Sequence, residues 1–308
     1  MELQRFSSST NAERHAGLAG AWLLSLPSEN TQRAYRGDLT AYFSFLDSGS
    51  LDALAAERRH VDLWRKTLAG APTTVARRLA AVSSFYRYAA GEGLAPAQPV
   101  QNVKRPKIDA SHSTTQALTK EEARRFLAAA EHDGPRSHAL ASLLLFTGIR
   151  ISEALSATLG DLAHDASHRV LIVTRKGGKR QKIALPAPVM EALNAYLGRS
   201  TAEGSEVVTT ATAPSGAPLF TTSTGKGWAQ SEAFRTVGRL AREAGIEGRV
   251  SPHSLRHTHI TEVLEAGAPL HQVQDSVGHS DPRTTQRYNH SRGRLEHSSA
   301  YVAARLFS

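Results

Sequence analysis

Apolar and polar positions alternate with a helical period over much of the chain. Tyr35, Leu39, Tyr42, Phe43 and Leu46 fall at i, i+4, i+7, i+8 and i+11, one stripe of a 3.6-residue period. The stripe predicts a helix capped by Ser28 or Asn30. Residues 13–24, 51–69 and 73–90 also read as helices. In the last, Val75, Leu79, Val82, Phe85 and Tyr86 share one side while Arg77, Arg78 and Arg87 take others, and Gly91 and Gly93 end it. Behind a loose tail at 1–10, residues 1–95 are therefore expected to form a small all-α domain with a basic surface.

Over residues 96–115 the pattern lapses into Pro, Ser and Thr with few large apolar residues. This stretch reads as a basic interdomain linker, longer than an ordinary loop of ~4–6 residues. A second domain, 116–308, opens with TKEEARRFLAAAEH, a helix with Thr119 as cap and acids in its first turn. The apolar run to Phe146 predicts a buried helix, broken at Thr147-Gly148 and restarted near Arg150. Val170–Thr174 and Lys182–Leu185 are β-type runs joined by a Gly-Gly turn, which predicts a small antiparallel sheet. Helices are expected at 186–198 and 231–244, with a Gly- and Thr-rich loop and a short strand at 200–227. Ser251-Pro252 is a cap with proline at the first helical position, opening a helix to Ala266. Pro269 opens another that ends at Gly278. Asp281-Pro282 opens a short one through Tyr288, and residues 296–306 close the chain. The fold class is mainly α with a small antiparallel sheet.

Charge adds a partner to this outline. The 308 residues carry 37 Lys and Arg against 28 Asp and Glu, a formal charge of +9. The excess is local. Residues 58–107 hold ten cations, among them Arg77, Arg78, Arg87, Lys104, Arg105 and Lys107, against only Asp62 and Glu92. A second island, from Arg169 to Lys182, contains Arg175, Lys176, Lys179 and Arg180 with no acid between. Such islands suit a polyanion, since each cation set on a DNA phosphate releases a counterion. The absence of cysteine excludes a disulfide scaffold, a thiolate metal site and a cysteine nucleophile. No run approaches the ~20 apolar residues of a membrane helix. A cytoplasmic protein is the expectation, with no cofactor.

Chemistry-bearing residues gather in four segments. His253 and Arg256 stand at i and i+3 on the first turn of one helix, a natural phosphate clamp at a positive helix end. Arg150 abuts the apolar run ending at Phe146 and needs a partner, which Glu153 at i+3 supplies. His279 follows Gly278 at a helix end, and Tyr288 lies nine positions on. His253, His257 and His259 cluster as well, but HxxxHxH lacks the glutamate of the HExxH zinc motif, so no metal site is assigned. The order TGIRISEAL, a basic turn with Lys176, SPHSLRHTHIT and VGHSDPRTTQRYNH resembles the tyrosine recombinases, the simple Xer-like and phage-integrase-like enzymes. The resemblance spans nearly the whole chain. Residues 1–95 are similar to that family's SAM-like core-binding domain, and 116–308 to its catalytic domain.

That resemblance implies a catalytic set of Arg150, Lys176, His253, Arg256, His279 and Tyr288, with Glu153 in support. It further implies site-specific DNA recombination through a 3′-phosphotyrosyl intermediate. Two arginines would hold the non-bridging oxygens, His253 would take the phenol proton and Lys176 would protonate the leaving oxygen. Neither metal nor ATP is required. The lysine turn, TRKGGKR, departs from the family's usual GKGxKxR: Arg175 stands for a glycine, and Lys179 is near enough to compete for the acid role. The implied partners are double-stranded DNA and a homo-tetramer, or a hetero-tetramer with a related recombinase, assembled through helix 296–306. Phosphate contacts are expected from Arg77, Arg78, Arg87, Lys104, Arg105, Lys107, Lys179 and Arg180. Two other readings stay open: DNA relaxation of the type IB topoisomerase kind, and a non-catalytic DNA-binding protein using 252–266 and 269–277 as a helix-turn-helix.

Overall fold

The structure, a computed structural model, describes residues 15–95, 98–107, 117–175, 177–198 and 215–278. The chain folds as two units, Met1–Asp109 and Ala110–Ser308.

The first unit is helical: α1 (15–25), α2 (Glu29–Ser48), α3 (Arg58–Thr67) and α4 (Pro72–Gly91). Ser28 is the cap of α2, its hydroxyl accepting from the Thr31 N–H. The apolar stripe of α2 turns inward against α4, and Leu39, Tyr42, Leu46, Leu79, Val82, Phe85 and Tyr86 are all buried. Aromatic rings dominate this core. Trp22 meets Phe85 edge-on at 5.7 Å and Tyr42 meets Trp64 at 4.8 Å between centroids. Such pairs add ~0.5–1.5 kcal/mol to the burial of their surfaces. The Tyr86 hydroxyl donates to the Ala53 carbonyl at 2.6 Å, so its oxygen accepts from Tyr42 at 3.1 Å. Burial pushes the Tyr42 phenol up to about 12 and Tyr86 upward as well. The buried carboxylate of Asp38 pairs with Arg77 and, at 3.8 Å, with Arg78.

Two expectations for this unit are corrected. Residues 51–69 are not one helix. A 3-10 turn at Ala53–Ala55, capped by Asp52, precedes a fresh start at Glu57, where the Glu57 N–H is held by the His60 ring at 3.0 Å. No glycine or proline announces the break. It re-aims the chain so that Val61 and Trp64 enter the core. Nor do residues 98–103 behave as open linker, because Val100 and Val103 are buried in the first unit's core.

The second unit is built round α6 (Pro135–Thr147), whose apolar run is buried on most sides and packs against α5 (Lys120–Asp133), α8 (Ala187–Leu197) and α10 (Pro252–Glu265). α7 (Ile151–Ser156), α9 (Gln230–Glu243) and α11 (Leu270–Val277) complete its described helices. Thr119 and Glu122 cap α5 reciprocally, as the acids in its first turn predict. The sheet has order β1-β2-β3, all antiparallel: β1 (Leu162–Asp165), β2 (His168–Thr174) and β3 (Arg180–Ala184). Leu171 pairs with Ile183 and Thr174 with Arg180. β1 is an addition to the expected pair. Its sequence, LAHD, has no β-branched residue and its place comes from pairing with β2. Fold class is as expected, mainly α with one small antiparallel sheet. The expected tail 1–10 and the helices ending at Tyr288 and spanning 296–306 lie outside the described residues.

Candidate active site

The corner between α6 and α7 places Arg150. α6 ends at Gly148, in the left-handed conformation with φ +63°. A Cβ there would come within 2.5 Å of the His259 ring, so glycine is required twice, by φ and by space. Arg150 is then the cap of α7. Its N–H donates to Glu153 Oε2 at 2.8 Å and its guanidinium Nη1 to Oε1 at 2.7 Å. Glu153 is 5% exposed and Arg150 42%. The carboxylate is thus locked inside while the guanidinium stays accessible.

α10 supplies the next two residues. Ser251 and Ser254 cap its start reciprocally with Pro252 in the first turn. His253 and Arg256, three residues apart on α10, follow different courses. Arg256 is buried, donating from Nη1 to the Gly148 carbonyl at 2.5 Å and from Nη2 to the Val277 carbonyl at 2.7 Å. His253 remains at the exposed rim. Partial shielding from water, with the positive charges of Arg256 and Arg150, holds its pKa below the usual imidazole range. A neutral imidazole beside two guanidiniums can accept a proton at neutral pH. His259, one turn beyond Arg256, is half-buried and pushed down to about 4, chiefly by desolvation. It is neutral, so its Nδ1–H donates to the Leu145 carbonyl at 3.1 Å.

α11 ends where these groups meet. A helix C-terminus leaves carbonyls without partners and carries partial negative charge. α11 has no basic residue in its own last turn, and three arginines from elsewhere fill that role. Arg175 donates to the Ser276 carbonyl at 2.7 Å and the Val277 carbonyl at 2.9 Å, Arg256 to Val277, and Arg150 to the Gly278 carbonyl at 3.4 Å. Gly278 adopts φ +67°, and a Cβ on it would lie 2.7 Å from the Arg175 guanidinium. Arg175 also reaches Glu153 Oε2 at 2.8 Å, so one buried carboxylate serves two arginines.

Residues 116–294 match the phage integrase family, and residues 25–93 match its N-terminal SAM-like domain. The chain belongs to the tyrosine recombinases of the phage integrase family. Tyrosine recombinase XerC of Mycobacterium tuberculosis (strain ATCC 25177 / H37Ra) is 35% identical over 294 residues, covering 90% of this chain and 94% of its own. Tyrosine recombinase XerD of Mycobacterium tuberculosis (strain CDC 1551 / Oshkosh) is 33% identical over 277 residues, covering 84% and 86%. Two solved structures share the fold. The XerH site-specific recombinase bound to palindromic difH substrate in a post-cleavage complex has a TM-score of 0.70 at 18% identity, over 89% of this chain and 80% of that one. A lambda integrase dimer bound to a COC′ core site has a TM-score of 0.69 at 17% identity, over 93% and 96%.

In this recombinase the described part of the expected site, Arg150, Glu153, His253 and Arg256, comes together around the end of α11. Lys176, His279 and Tyr288 lie outside the described residues, though their neighbours Arg175, Gly177 and Gly278 are described. The expected DNA contacts divide. Arg87, Lys104, Arg105 and Lys107 are exposed, and Arg87 and Arg105 line a polar cleft of about 430 Å³ with Ser83, Gln98, Gln101 and Asn102. Arg77 and Arg78 are engaged with Asp38, and Arg180 with Asp161 at 2.9 Å. Lys179 is exposed. The second basic island is therefore less bare than its sequence suggests, since Asp161 and, through Lys182, Asp165 answer it from β1 and the preceding turn. Sequence reasoning named His259 only as a member of a histidine cluster and missed the part Arg175 plays in holding the site together. Arg175 was visible as a charged residue where the family pattern has glycine. His259 shares a helix face with Arg256, but nothing in the sequence marks its contact with Leu145. Among the described residues no helix is long and apolar enough to cross a membrane.

Proposed function

We propose that the chain is a site-specific DNA recombinase that cuts and rejoins strands through a covalent link to Tyr288. The observation that supports this best is the convergence of Arg150 and Arg256 on the end of α11, one residue before His279, with His253 held neutral beside them. In the proposed step a bond forms between the Tyr288 oxygen and phosphorus as the bond to the 5′-oxygen breaks. The phenol proton passes to His253, and a proton from Lys176 arrives on the 5′-oxygen. Arg150 and Arg256 steady the charge on the non-bridging oxygens, and His279 orients the phosphate or the phenol. The phosphotyrosine preserves the phosphodiester's energy, so the reverse step rejoins DNA without ATP, and the arginines serve the part a metal plays elsewhere. Exposed cations of the first unit, Arg87, Lys104, Arg105 and Lys107, would grip backbone phosphates without reading sequence. Assembly as a tetramer on two sites in the cytoplasm completes the reading. It agrees with a fold shared by a lambda integrase tetramer on a Holliday junction.

A nicked suicide substrate tests it. The wild type is expected to trap a covalent protein–DNA adduct on a verified binding site, and Tyr288→Phe none. A wild type that forms no adduct on such a site overturns the proposal. Recombination of two plasmid sites, as against relaxation of any plasmid, then separates a recombinase from a topoisomerase.

A further inference from the structure

The hairpin turn that carries Lys176 is closed by Arg175. The Arg175 N–H donates to the Lys179 carbonyl at 2.8 Å, and its carbonyl accepts from the Gly178 N–H at 3.0 Å. On the far side of Lys176 the chain is permissive, with Gly177 at φ +84° and Gly178 at φ +79°. A lysine placed only by two glycines would wander. On the near side the restraint is strong. The Arg175 side chain is 6% exposed, and its donors reach three elements: Glu153 of α7, Gln181 of β3 at 3.1 Å, and the carbonyls of Ser276 and Val277. Gln181 repeats the tie by donating to the Asp275 carbonyl at 2.7 Å. Gly278 leaves the space that the guanidinium fills.

From this we infer that Arg175 is a positioning residue, registering the lysine turn against the phosphate-binding arginines through Glu153 and the end of α11. The inference rests on the strand-cleavage reading above. Buried ion pairs bring little net stability compared with apolar packing of the same volume. What a planar fork with three kinds of partner does bring is a fixed direction. Arg150 and Arg175 share one carboxylate, so the part of the site that binds phosphate and the turn that delivers the proton are aligned by the same atoms.

The test compares two nicked substrates, one with an ordinary scissile phosphodiester and one with sulfur replacing the 5′-bridging oxygen. A thiolate leaves without a proton, so the sulfur ester does not need the lysine. Arg175→Ala is expected to slow single-turnover cleavage of the oxygen ester ~10–100-fold, within the reach of a displaced general acid, and that of the sulfur ester by less than about threefold. Affinity for the duplex site should stay within about twofold of the wild type. Arg175→Lys keeps the charge but loses the fork, and should fall between. Equal loss on both esters, or no loss, overturns the inference while leaving the strand-cleavage reading intact. If Arg175→Ala does not fold, Gln181→Ala carries the comparison, since the Glu153 pair survives in it. An oxygen-ester loss of about threefold with the sulfur ester unchanged is then expected, and an unselective result overturns the inference. A wild type that cleaves neither substrate overturns the strand-cleavage reading and this inference with it.

Discussion

Each unit buries one carboxylate between two arginines, and the two arrangements behave differently. In the first unit Asp38 is 5% exposed, but Arg77 and Arg78 are 43% and 32% exposed and lie next to each other on α4. Burial outweighs them, and the Asp38 carboxyl is held above the usual aspartate range despite both cations. In the second unit Glu153 is equally hidden, yet one of its arginines is hidden with it and reaches three further acceptors. Losing Asp38 would return two cations to water. Losing Glu153 would strand one inside. The first arrangement joins two helices, whereas the second aims donors.

The largest effect that sharpens this contrast is expected from Glu153→Ala. It should destabilise the second unit by ~3–5 kcal/mol, the usual result of leaving a buried charge unpaired. Urea denaturation, with amide exchange to place the loss in α6, α7 and α10, measures it. A cost under about 1 kcal/mol would erase the difference between the units.

Next comes pH. Folded His259 titrates at about 4 against an ordinary value of 6.5. Below pH 6.5 the unfolded chain therefore takes up a proton that the folded chain refuses, and stability falls as pH drops toward 4. The loss should reach about 2 kcal/mol at pH 5 relative to pH 7.5. Amide exchange should show it around Leu145 and α10 and not in the first unit, and His259→Gln should flatten it.

A smaller effect belongs to the first unit's own polar core. Tyr86→Phe leaves the Ala53 carbonyl without its donor and Tyr42 without its acceptor, for about 1–2 kcal/mol by thermal or urea unfolding. The smallest is expected from Asp38→Asn, at about 0–1 kcal/mol, because its partners are free to hydrate. A cost near that of Glu153→Ala would show that exposure of the cations does not decide the matter.

Local signals carried most of this fold. The stripe from Tyr35 to Leu46, the Thr119 and Ser251 caps and the glycine after Val277 each depend on interactions within a few residues, and each element begins or ends within about two positions of its expected place. What could not be seen depends on contacts distant in the chain. β1 exists because β2 lies beside it, and the break at Ala56 because Trp64 must turn inward. Arg150, His253 and Arg256 could be singled out because their types and spacing suit phosphate chemistry and match the family's motifs, and the structure brings them together. Arg175 looked like a departure because its partners Ser276 and Val277 lie 101 and 102 positions away.

The three guanidiniums gathered at the end of α11 repel one another. The Glu153 carboxylate and the carbonyls of Ser276, Val277 and Gly278 act as a resident counter-pole that holds them in place. If Arg150 and Arg256 take a phosphate as proposed, they are aimed before it arrives, and little of its binding energy would be diverted into assembling them.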